Sequence, residues 1–68
     1  MNLNDALMKA DDSMVGMASG VYSPLETENF LRGMIAVLLC SDEHGAAILA
    51  ARLNRAVSNI KAAQGKAA

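Results

Sequence analysis

A chain of 68 residues with 53% hydrophobic and 3% aromatic side chains holds one small domain, and a domain of that size hides only about 60% of its unfolded surface. One cysteine excludes an internal disulfide, one histidine and one cysteine are too few for a structural zinc site, and a charged fraction of 19% is too low for a disordered tail. The formal charge of −1 gives no basic footprint for nucleic acid. Thirteen alanines and few β-branched or aromatic residues point to closely packed helices rather than a sheet.

Three helices follow in chain order. The first covers about residues 3–19. Leu3, Leu7, Ala10, Met14, Met17 and Val21 recur at spacings of 4, 3, 4, 3 and 4, the seam of helix-on-helix packing. Asn2 or Asn4 can cap its start, Asp5 suits the positive end of the helix dipole, and Gly20 can supply the left-handed residue that stops it. Gly16 and Gly20, four apart, could form a smooth ridge for a second backbone; the simpler reading is that Gly16 is tolerated and Gly20 terminates.

The second helix is placed at 24–40. Ser23-Pro24-Leu25-Glu26 is a capping box: the Ser23 hydroxyl accepts from the Glu26 N–H, Glu26 reaches back to the Ser23 N–H, and Pro24 sits where its missing N–H costs nothing. Phe30, Leu31, Met34, Ile35, Val37, Leu38 and Leu39 make this helix apolar over more than half of its circumference. Such a helix must be covered on more than one side, so part of it, Phe30, Met34, Val37 and Leu38, is assigned to an interface between copies of the chain; the alternative is a compact three-helix monomer with this helix at its centre.

The third helix is placed at 42–62, with Ser41 as cap and Asp42 and Glu43 in its first turn. A single helix from Pro24 to Ala62, with Gly45 as a weak point, is the alternative. Ala46, Leu49, Ala50, Leu53, Ala56, Val57 and Ile60 form its inward face. Outward lie Ile48, Arg52, Arg55 and Asn59, an apolar residue beside two arginines and an amide, which reads as a partner-binding stripe. Residues 64–68 are expected to fray. The expected fold is therefore all-α: a helical hairpin plus an N-terminal helix, one domain over 1–63, completed by homo-oligomerisation.

No reactive constellation emerges, and no cofactor is called for. Cys40 and His44 would share a face only if the second helix ran on through residue 44, and no third group orients the pair. Cys40 reads as a small buried apolar residue, and Met8, Met14, Met17 and Met34 as core fillers. Asp11 and Asp12 are adjacent and point apart on a helix. A helix-turn-helix built on Arg52, Arg55, Asn59 and Lys61 would make a DNA-binding regulator, but Asp42 and Glu43 at the reading end would repel phosphates. The longest apolar run, Met34 to Cys40, is too short for a membrane span. The first residues lack the features of an export signal, and with a lone cysteine they fit the cytoplasm.

Charge is segregated. Residues 1–42 carry −4 and residues 43–68 carry +3, a distribution that favours antiparallel self-pairing or a charged partner. The segment Leu39 to Ala63, about a third of the chain, resembles the last helix of phage-encoded oligomeric sponge proteins that sequester cyclic nucleotides, through Cys40-Ser41-Asp42, Ala56-Val57 and Lys61-Ala62. That resemblance implies a small anionic ligand held between subunits by arginines, without chemistry. The residues themselves favour a non-enzymatic helical protein that binds and regulates or inhibits a larger partner protein.

Overall fold

The computed structural model describes residues 2–67 and contains three helices and no strand among them: α1 Leu3–Ala18, α2 Pro24–Leu39 and α3 Ala46–Ala67. Helices α2 and α3 form the hairpin. Helix α1 packs on it through both, its N-terminal Leu3 and Leu7 beside Gly45 and Leu49 and its Lys9, Asp12 and Ser13 beside the start of α2.

The helix starts are local chemistry. The Asn2 side chain accepts from the Asp5 N–H at 2.9 Å. The capping box of α2 is complete, with the Glu26 N–H donating to Ser23 Oγ at 3.1 Å and the Ser23 N–H to Glu26 Oε1 at 3.2 Å. One turn on, buried Thr27 returns its hydroxyl to the Ser23 carbonyl at 3.1 Å.

Helix α1 ends on Gly20 at φ +84°. The Gly20 N–H donates to the Met17 carbonyl and the Val21 N–H to the Gly16 carbonyl, at 3.2 and 2.8 Å. These are the two bonds of a Schellman motif, which satisfies carbonyls that the helix end leaves open.

The start of α3 differs from the sequence expectation. Gly45 adopts φ +89°, in the left-handed region, and its carbonyl accepts the Leu49 N–H at 3.0 Å. The helix therefore begins at Ala46, not at residue 42. Asp42 and Glu43 lie in the preceding loop and leave no acidic residue in the first turn of α3. Ser41 caps only that loop, its Oγ accepting from the Glu43 N–H at 3.1 Å. The break at residues 40–45 also removes the continuous-helix alternative. At the other end α3 continues through Ala67, because Gln64, Lys66 and Ala67 favour helix and Gly65 costs it only about 1 kcal/mol; Ala68 lies outside the described residues.

The core combines Ala6 and Ala10 of α1, Leu31, Met34 and Leu38 of α2, and Ala46, Leu49, Ala50, Leu53, Val57 and Ile60 of α3. The inward face expected for α3 is the one observed, with Ala56 at its margin. In α1 the expected seam faces the core through Leu3, Leu7, Ala10 and Met17, but its most buried line is one of small residues. Ala6, Ala10 and Gly16 are its buried residues, Leu3, Leu7 and Met17 flank them, and Val21 is exposed because the helix has already ended. Met8 is exposed and is no core filler.

In α2 the assigned inter-copy face divides. Met34 and Leu38 are spent in the chain's own core, while Phe30 and Val37 stay exposed. The wide apolar circumference is thus half consumed within one chain, because α1 and α3 cover adjacent sides of α2 and not one.

Candidate surfaces for recognition

The outward stripe of α3 is where the sequence places it. Ile48, Arg52, Arg55 and Asn59 are all exposed, with Ile48 at 69%. Turning the core face of α3 inward projects these four to the opposite side, since spacings of 4, 3 and 4 keep them in one row. Ile48 and Arg52 form one wall of a 200 Å³ groove whose other wall is Leu3, Asn4 and Leu7 of α1. Ile48, Ala51, Arg52 and Arg55 border a second hollow of 310 Å³.

Neither arginine has an acidic partner among the described residues. Among the described residues the one ion pair is Glu28 with Arg32 in α2, at 3.0 Å and one turn apart. Glu28 is buried and Arg32 half-exposed, and the order glutamate before arginine suits the helix dipole. Arg52 and Arg55 therefore present both guanidinium groups to solvent. Each offers five fixed donors to a carboxylate or phosphate.

A third concavity was not legible from the sequence. Lys9, Asp12 and Ser13 of α1 line a groove of 380 Å³ together with Glu26, Thr27 and Phe30 of α2 and Tyr22 of the connection between them. Gly16 makes the Tyr22 position possible. A Cβ built on Gly16 would lie 2.5 Å from Tyr22 Cε2 and closer still to Cδ2, so the ring rests directly on the glycine backbone. The residue pair Gly16 and Tyr22, six apart across a Schellman turn, is the signal that could have found it.

Cys40 and His44 are not brought together as a helical pair. Helix α2 ends at Leu39, Cys40 is its exposed C-cap residue, and His44 is exposed in the loop. Cys40 is thus not the buried apolar residue expected. It lies beside Ala36, Val37, Leu38 and Ser41 in an apolar hollow at the end of α2. Among the described residues no three His, Cys, Asp or Glu side chains converge as metal ligands, and no buried side-chain nitrogen or oxygen lacks a partner. No described helix is long and apolar enough to cross a membrane. The chain matches no protein-family model, no curated protein and no solved structure.

Proposed function

We propose that this chain is a non-enzymatic helical interaction protein that binds a larger partner protein through the outward stripe of α3 and regulates or inhibits it. The observation that carries the reading is the pair of exposed arginines, Arg52 and Arg55, with no acidic partner among the described residues, set beside Ile48. Interfaces draw binding energy from arginine next to a desolvated apolar contact, because planar bidentate hydrogen bonds strengthen as water is excluded. Nothing in the core depends on these four positions, so their identity is free to serve an outside contact.

A photo-crosslinking residue at Ala51, exposed beside Ile48, Arg52 and Arg55, tests this in the cells that produce the protein. A crosslinked partner protein that disappears in the Arg52→Ala/Arg55→Ala variant is the expected result. Absence of any protein adduct, combined with a rise in thermal midpoint on adding cyclic nucleotides, would replace this reading with a ligand sponge.

A further inference from the structure

Helix α1 carries a second outward row that answers the first. Asn4, Met8, Asp11 and Val15 are all exposed and repeat at spacings of 4, 3 and 4, the same spacings as the row on α3. Two helices with matched rows can lie along each other, since this repeat keeps a seam in register over several turns. The direction is decided by what meets what. Run parallel, the rows set Asn4 against Ile48 and Val15 against Asn59, an amide on an apolar side chain at both ends. Run antiparallel, they set Val15 against Ile48, Asp11 against Arg52, Met8 against the aliphatic stem of Arg55, and Asn4 against Asn59. Every position then meets a chemical complement, and Asp12 adds negative charge beside the seam.

We infer that the occupant of the α3 stripe is the outward face of α1 of a second copy of this chain, laid antiparallel. The inference rests on reading the α3 stripe as an interaction surface, and it names what covers that surface in the free protein: a larger partner would have to displace the second copy to reach the same arginines. The pairing is between copies because within one copy both rows face outward and no ion pair joins them. Their near ends flank one groove, where Asn4 stands across from Ile48 and Arg52. The charge segregation of the sequence, −4 before residue 43 and +3 after it, becomes the attraction between copies. The contact joins two different patches, so it is head to tail, and each copy offers one of each row.

The test is a charge exchange read by light scattering at high micromolar concentration and low salt. The wild type should exceed the mass of one chain and fall back towards it as salt rises, because the central pair is electrostatic. Asp11→Arg alone and Arg52→Asp alone should each run as a single chain. An equimolar mixture of the two variants should recover the association, since it restores opposite charges across every contact. Both positions are exposed on helices, so circular dichroism should show unchanged helicity. A wild type that stays a single chain, a single variant that associates normally, or a mixture that fails to recover overturns the inference. Failure of the broader reading looks different: no crosslink from position 51 to any protein, a second copy included. Crosslinks from position 51 to a foreign protein, together with a monomeric wild type, would keep the α3 stripe as an interaction surface while removing the second copy from it.

Discussion

Substituting Gly16 with alanine should destabilise the protein even though it replaces a poor helix former with the best one. Gly16 lies in the last turn of α1 and its φ is negative, so its backbone accepts an L side chain without strain. In open solvent the exchange would stabilise a helix by about 1 kcal/mol. Here the new methyl group would occupy the space of the Tyr22 ring. The ring has to leave. Tyr22 is 44% exposed, so a little over half of a surface of about 200 Å² is covered, or ~110 Å². At about 25 cal/mol per Å² the displaced ring forfeits up to about 2.8 kcal/mol. The balance is a net loss of up to about 1.8 kcal/mol, a fall in melting temperature of up to roughly 7–14 °C for a chain of this length.

The decisive measurement is the double-mutant cycle by urea unfolding. In a Tyr22→Ala background the obstacle is gone, and Gly16→Ala should then stabilise by about 1 kcal/mol. Tyr22 is the only tyrosine and there is no tryptophan, so intrinsic fluorescence reports separately whether its ring has moved in Gly16→Ala. If Gly16→Ala stabilises the wild type as much as it stabilises Tyr22→Ala, the ring does not rest on Gly16 and the reasoning is wrong.

Ser23→Ala should cost about 1 kcal/mol by unfolding, through loss of the cap of α2. Gly45→Ala should cost about 1–2 kcal/mol for forcing an L residue into φ +89°, with Leu3 Cδ1 only 3.3 Å from the new methyl adding to it. Gly33→Ala, in mid-helix with no atom within 4 Å of the new methyl, should instead stabilise by about 1 kcal/mol; equal effects at the two glycines would refute the left-handed assignment. Val37→Asp should change stability by no more than about 0.5 kcal/mol, whereas Leu38→Asp, placing a charge at a position only 3% exposed, should abolish the folded circular-dichroism signal. Comparable stability of those two variants would mean that Leu38 does not belong to the chain's own core.

What the sequence made legible was local and periodic. Ser23 and Glu26 specify the start of α2 through bonds three residues long, and the inward row of α3 declares itself because large and small apolar residues alternate there at helical spacing. Two kinds of feature escaped. Gly45 looked like a weak point inside a helical pattern, since only coordinates reveal a positive φ; that angle moves the start of α3 by four residues and returns Asp42 and Glu43 to a loop. The burial of α2 depends on where two other helices lie, and periodicity on α2 alone cannot separate Met34 and Leu38, which face its own chain, from Phe30 and Val37, which do not. For the recognition surface, the α3 row was readable, while the α1 row was hidden because Met8 was counted as a core filler, and nothing in the seam of Leu3, Leu7, Ala10 and Met17, which does face the core, shows that Met8 and Val15 stay uncovered.

The small residues at the centre of the α1 seam have a functional consequence. The side chains that α1 buries completely are the two smallest available, Ala6 and Ala10, with Gly16 behind them. Small residues let a helix backbone come close to the hairpin, and close approach gains dispersion contacts from the backbone itself rather than from long side chains. Larger side chains at those positions would have pushed α1 outward, and the flanking Leu3, Leu7 and Met17 could then not reach the core margin. Because alanines fill the seam, Met8 and Val15 are not needed for folding, at 63% and 66% exposed. In a chain of 68 residues, where every buried side chain matters to a thin margin of stability, leaving both outside is a cost without return unless another surface covers them. In the proposed antiparallel pairing the row on α3 would supply that surface, Ile48 meeting Val15, Arg52 meeting Asp11 and the aliphatic stem of Arg55 meeting Met8.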